Sequence, residues 1–122
     1  MSTSPETVPV PPEAAAGFVA VNYITCQANY RERFEQLFAT RARAIDRMPG
    51  FVRMEVLRPN ADGESYLIVS HWTNRAAFEA WAHSPEFAAG HQRGFADLRQ
   101  AREAGAPAPL TSRFITYDIV AH

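Results

Sequence analysis

The sequence predicts an α+β fold of the ferredoxin-like βαββαβ arrangement: one four-stranded antiparallel sheet with helices on one face. Three observations predict it. Pattern and propensity run in the order strand, helix, strand, strand, helix, strand. The second and third strands are separated only by a short turn, so they pair as a hairpin. The strands are also too apolar on both sides for a sheet with one wet face. A second copy packed sheet on sheet, a homodimeric barrel-like pair, covers the remaining face.

The elements follow in chain order. Residues 1–16, MSTSPETVPVPPEAAA, carry four of the nine prolines and little bulky apolar content. They read as a flexible tail or an extended arm, and residues 17–122 as the folded domain. An arm packed on a partner subunit is the other reading of that tail. Residues 18–26, FVAVNYITC, are β-branched and aromatic and form a strand. Its two faces are Phe18/Ala20/Asn22/Ile24/Cys26 and Val19/Val21/Tyr23/Thr25, both mostly apolar, with an isolated amide at Asn22.

A helix begins at Asn29, where Asn29-x-x-Glu32 resembles a capping box. Tyr30, Phe34, Leu37, Phe38, Ala42 and Ile45 recur at helical spacing, and Met48-Pro49-Gly50 ends the run. The second strand covers residues 51–58, with Val52, Met54 and Val56 expected on one side. Pro59-Asn60-Ala61-Asp62-Gly63 is the turn. The third strand runs from Tyr66 to Trp72. Thr73 or Asn74 caps a short helix through Phe78 and Trp81. Ser84-Pro85 starts another, Ser as cap and Pro in the first turn. Gly90 permits a bend, and helical or irregular structure continues to about Ala104. A loop over residues 105–109 leads to a last strand over residues 112–120.

Composition excludes several functions. The 122 residues are 47% hydrophobic, and 12 Lys and Arg against 13 Asp and Glu leave a net charge of -1. That balance argues against a nucleic-acid binder acting through a basic stripe. No apolar run approaches the roughly 20 residues that span a bilayer, so no membrane partner is expected. A single cysteine, Cys26, excludes an internal disulfide framework and suits a reducing, cytoplasmic setting. No HxH, HExxH, CxxC, P-loop or GxGxxG pattern occurs, and no nucleophile elbow surrounds Ser70-His71.

Three residues remain. Asn22 is a poor strand former, and such an amide is either hydrogen-bonded in a core or edge, or aimed at a ligand. Trp81 fills a core or packs on a ligand. His91 caps or decorates a helix irregularity, or binds a metal. Spacing alone does not choose between these readings.

The sequence resembles the IsdG-type haem-degrading monooxygenases of the antibiotic-biosynthesis-monooxygenase superfamily. The carriers are Ala20-Val21-Asn22, Phe38-Ala39-Thr40-Arg41, Pro49-Gly50-Phe51 and His71-Trp72, followed by Ala77-Phe78-Glu79-Ala80-Trp81, the run from Ser84 to His91, and Phe114-Ile115-Thr116-Tyr117-Asp118-Ile119. The resemblance spans residues 18–120. It implies that haem is both substrate and cofactor. Asn22 matches the distal asparagine, Trp81 the tryptophan packed on the macrocycle, and His91 the axial iron ligand. Phe38 and Arg41 match pocket positions on the first helix. The implied reaction opens the porphyrin ring with dioxygen and an external electron donor, releasing iron and a linear tetrapyrrole. The sequence after His91, from Gln92-Arg93-Gly94-Phe95 onward, departs from relatives near the haem edge. Arg93, Arg99 and Arg102 there are candidate propionate partners. The rival expectations are a cofactor-independent monooxygenase of the same superfamily acting on a polyketide-like aromatic, and a non-catalytic haem carrier.

Overall fold

The architecture comes from a computed structural model, which describes residues 16–122. The proline-rich tail lies outside the described residues except for Ala16, which is buried in the domain. The elements are β1 (Phe18–Cys26), α1 (Arg31–Ala39), β2 (Phe51–Leu57), β3 (Tyr66–Trp72), α2 (Arg75–Ala82), α3 (Pro85–Glu103) and β4 (Leu110–Asp118). The sheet order is β2-β3-β1-β4, with every pairing antiparallel. This is the expected ferredoxin-like sheet, with β1 and β3 inside because they carry the most buried residues.

Register sorts the side chains. Phe18, Ala20, Asn22 and Ile24 oppose Trp72, Ser70, Ile68 and Tyr66 across the β1–β3 ladder, and these residues share one face. The helices pack on that face and bury two separate clusters. One joins Phe18, Ile45, Trp72 and Trp81. The other joins Ile24, Tyr30, Phe34 and Tyr66. The opposite face carries Val19, Val21, Tyr23, Leu67, Val69 and Ile115, and the described helices leave it uncovered. Its polar groups pair among themselves. Arg53 and His71 both bond Glu55, at 2.6 and 3.2 Å. The Tyr23 and Tyr117 hydroxyls share a 3.0 Å bond. Burial raises the Glu55 carboxyl, but Arg53 and His71 outweigh it and hold it below its ordinary value.

Four local expectations are corrected. The first helix is not continuous from Asn29 to Ile45. A 3-10 turn, Ala28–Tyr30, precedes α1, and Asn29 makes no side-chain cap. The chain leaves the helix at Thr40 and passes through Arg43 at φ 62. A second 3-10 turn, Ala44–Arg47, then buries Ile45. The break has a packing reason: Phe34 belongs to one cluster and Ile45 to the other. Next, a bulge between Phe51 and Arg53 puts Phe51 rather than Val52 beside Met54, and Phe51 packs edge-on to Trp72 at 5.4 Å. α3 is one continuous helix through Gly90, with no irregular stretch before Glu103. Finally, β4 begins at Leu110 and ends at Asp118, two residues earlier than expected at each end.

The local caps hold as expected. Asn74 accepts from the Ala77 amide at 2.9 Å, and Ser84 from the Phe87 amide at 3.1 Å, with Pro85 in the first turn. Gly50, at φ 81, makes the tight entry into β2, where a Cβ would lie 2.4 Å from that of Ala77.

Candidate functional site

Between the two clusters the sheet has a polar, small-residue floor. Ala20 sits between Ser70 and Thr116, and Asn22 between Ile68 and Phe114. Ser70 accepts from the Trp72 indole N–H at 3.0 Å. Asn22 is different: its Oδ1 is buried with no hydrogen-bond partner. A buried amide oxygen left unpaired in mid-strand costs stability, so the fold alone gives no reason for it.

α3 packs against α2 and the second 3-10 turn. Its first turn joins one cluster through Phe87. Further on, Arg93 donates to the Leu37 carbonyl and to Thr40 Oγ1, both at 2.8 Å, which clamps α3 onto the end of α1. One more turn along, Asp97 Oδ2 accepts from the Tyr30 hydroxyl at 2.7 Å and from Arg33 Nε at 3.0 Å. Burial raises the Asp97 carboxyl, yet Arg33 and Tyr30 hold it below its ordinary value, while burial and that same carboxylate push the Tyr30 phenol up. His91 therefore sits on the free span of α3, between the anchored turns.

The geometry of His91 is defined. Its Nδ1 lies 2.7 Å from the Phe87 carbonyl, so Nδ1–H donates, and in the neutral ring the lone pair is on Nε2. Its ring lies against Phe87, with centroids 4.1 Å apart, and stacks on Phe95 at 5.8 Å. The helix beside it is bare. A Cβ built at Gly90 or Gly94 would meet nothing within 4 Å. Mid-helix glycines cost about 1 kcal/mol each, so this open space is not cheap for the helix.

Trp81 is 7% exposed and backed by Phe18, Ile45 and Trp72. It meets Phe87 edge-on at 5.6 Å. Trp81, Phe87, His91 and Phe95 thus form one aromatic row from core to surface. Phe38 packs edge-on to Phe34 at 5.1 Å and, with Ile68, borders the second cluster. Arg41 lies on the segment after α1 and pairs with Asp46 at 3.4 Å. The structure brings Trp81 and His91 together through Phe87. It puts Asn22 and Phe38 on either side of Ile68, and it joins Arg41 to none of the others. Arg93 is spent on the α1 clamp, while Arg99 and Arg102 are exposed.

Two open clefts lie beside this region. One, about 450 Å³, is lined by Tyr30, Arg33, Asp97 and Pro109. The other, about 410 Å³, is lined by Glu35, Phe38, Val56, Arg58 and Tyr66. Neither includes Asn22, Trp81 or His91; the aromatic row and the unpaired amide mark a site better than concavity does here. In the second cleft Arg58 Nε donates to Glu35 at 2.7 Å, and with the Tyr66 hydroxyl it pulls the Glu35 carboxyl down to about 2.

Sequence reasoning missed Phe87 as a contact of both Trp81 and His91. Its i, i+4 spacing to His91 was a usable signal. Nothing local could have found Phe114, which stacks on Phe78 at 5.7 Å beside Asn22, since that contact depends on sheet register.

A four-stranded antiparallel sheet in the order β2-β3-β1-β4 with helices on one face defines a ferredoxin-like α+β domain. The antibiotic biosynthesis monooxygenase family model matches residues 17–93, and the chain belongs to that family. Asn22, Phe38, Arg41, Trp81 and His91 all fall inside the match. The chain is 41% identical over 76 residues to a mycobilin-producing haem oxygenase of Mycobacterium tuberculosis, covering 61% of this chain and 72% of that relative. It is 37% identical over 67 residues to deoxynogalonate monooxygenase of Streptomyces nogalater, covering 55% and 56%. Among solved structures it is similar to the haem degrader MhuD of Mycobacterium tuberculosis with two haems in its active site, with a TM-score of 0.64, 32% identity, and 86% and 97% of the two chains covered.

Proposed function

We propose that the protein is a haem-degrading monooxygenase that binds haem as substrate and cofactor and opens the porphyrin ring with dioxygen and an external reductant. Iron and a linear tetrapyrrole are the products. The observation that carries this reading is the His91 imidazole, held at Nδ1 by the Phe87 carbonyl and joined through the Phe87 ring to the core-backed Trp81, with the buried, unpaired Oδ1 of Asn22 on the helix side of the sheet. The similarity to a mycobilin-producing haem oxygenase supports it.

The residues fit the group. Among the described residues no cluster of three or more His, Cys, Asp or Glu could hold a bare metal ion. One imidazole suffices only if the metal arrives with its own ligands, as in a porphyrin. Haem, when bound, supplies the iron that activates dioxygen and accepts electrons from the reductant. The protein supplies the rest. His91 binds through Nε2, and the Phe87 carbonyl fixes its tautomer and direction. Asn22 would offer an uncharged amide N–H donor on the helix side of the sheet, without competing for the metal as an anion. Trp81 is backed by the core, so a flat ligand pressed against it yields before the indole does. Phe38 would extend the apolar wall beside Ile68, while Arg41, paired with Asp46, would reach the ligand only from outside it.

The working unit is a homodimer joined through the open sheet face, where Val19, Val21, Val69 and Ile115 are brought together by register. It acts in the cytoplasm. Cys26 is free, and burial pushes its thiol up, away from reactive thiolate. No described helix is long and apolar enough to cross a membrane.

Hemin titration tests the reading. A Soret shift that disappears in His91→Ala is expected. Ascorbate in air, with catalase present, should then remove the Soret band and yield a linear tetrapyrrole by mass. A persistent band indicates a carrier. No His91-dependent shift at all points instead to cofactor-independent oxygenation, a reading favoured by the likeness to deoxynogalonate monooxygenase.

A further inference from the structure

Phe87 has every one of its groups engaged between the two residues thought to grip haem. Its amide donates to Ser84 Oγ at 3.1 Å, and the Ser84 hydroxyl in turn donates to the Trp81 carbonyl at 2.7 Å. Its ring takes the Trp81 indole edge-on at 5.6 Å and 73°. The same ring lies 4.1 Å from the His91 ring at 30°, and its carbonyl accepts from His91 Nδ1 at 2.7 Å. Backbone and side chain thus form two parallel links from indole to imidazole.

The two links do different work. A histidine's outer torsion is broad, with no sharp staggered well to hold it. The hydrogen bond fixes where Nδ1 points but leaves the ring free to tilt about that bond. A flat face 4.1 Å away removes the tilt, because a turned ring would collide with it. The far side of His91 offers less restraint: Gly90 and Gly94 are bare, and Phe95 is 53% exposed and 5.8 Å away.

We propose that Phe87 is a positioning residue that sets the plane of the His91 imidazole and locks it to the Trp81 indole. This rests on the haem reading. It adds that the direction in which the axial ligand plane lies across the macrocycle, and the place where the indole presses, are set jointly by one side chain. The position at which the ring opens then depends on Phe87 although Phe87 itself need not touch the porphyrin.

The test uses the full chain loaded with hemin. In the low-spin ferric cyanide complex, the shifts of the four haem methyl protons report the plane of the axial imidazole. Phe87→Leu removes the flat face and keeps the carbonyl; its methyl shifts should change in order or contract, and turnover should fall about tenfold. Phe87→Tyr should restore the native pattern. Trp81→Phe should alter the pattern more in the native background than in Phe87→Leu, where the link is already cut and only the indole's direct contact with the macrocycle is lost. Phe87→Met, flexible and similar in volume, gives the same reading if the leucine variant does not fold. A native methyl pattern in haem-loaded Phe87→Leu or Phe87→Met overturns the proposal, as does an equal Trp81→Phe effect in both backgrounds. Failure of the haem reading looks different: the unmodified protein itself would show no His91-dependent Soret shift.

Discussion

Replacing Asn22 with Val should make the apo protein more stable and the enzyme nearly inactive. The amide oxygen of Asn22 is buried without a partner, flanked by Ile68 and Phe114. Desolvating such a group costs about 1–3 kcal/mol. Valine removes that cost, and as a β-branched residue on a central strand it adds a few tenths of a kcal/mol. The net gain is about 2 kcal/mol. For a domain of roughly a hundred residues, that raises Tm by about 10 °C. Thermal unfolding of the haem-free protein, followed by circular dichroism, measures it. Hemin should still bind through His91, while turnover with ascorbate drops about a hundredfold, the usual effect of losing one oriented donor. Stability and activity moving in opposite directions is the mark of a residue kept for a ligand. A variant less stable than the native protein means that Asn22 supports the fold through a bond of its own. Retained turnover removes its role opposite His91.

Three further outcomes follow from the same geometry. Gly50→Ala combines φ 81 with a 2.4 Å approach to Ala77, so chemical denaturation should show a loss of about 3 kcal/mol or more; a loss below 1 kcal/mol would mean the loop rearranges freely. Asp97→Ala strips the Tyr30 hydroxyl, part of a residue 8% exposed, of its acceptor and should cost about 2 kcal/mol at pH 7. Because the native Asp97 carboxyl lies below its ordinary value, this stabilisation is complete above about pH 4 and fades as pH falls through the native pKa, so the gap from wild type should narrow in acid urea melts. Val69→Asp puts a charge at the centre of the open sheet face and should convert a dimer to a monomer by light scattering; an unchanged mass places the interface elsewhere.

Much of the fold was legible because its signals are local. Caps at Asn74 and Ser84, the turn before Tyr66 and the β-branched and aromatic run of β1 each depend on a few neighbouring residues. The long helix through Ile45 misled because Ala42 and Ile45 continue the helical spacing of Phe34 and Phe38. Burial in a different cluster outweighed that spacing and broke the helix at Thr40. The bulge at Phe51 and the unbroken α3 likewise answer to contacts made elsewhere. Gly90 would weaken an isolated helix, but Phe87 at one end and Arg93 and Asp97 at the other keep it continuous.

The candidate site divides in the same way. Residue types single out an amide, an indole and an imidazole, but only the resemblance to haem-degrading monooxygenases assigns them roles toward a ligand. What they do not contain is direction. That Asn22 points at the helix side, that its oxygen finds no donor, and that His91 keeps Nε2 free are consequences of strand register and helix phase. Register depends on pairings 46 residues away at Ile68 and 92 away at Phe114. A strand shifted by one residue would turn Asn22 to the opposite face with no change in sequence. Side-chain chemistry was written in the chain; the face on which Asn22 lies and the aromatic neighbours of His91 were decided only when the strands paired and α3 formed.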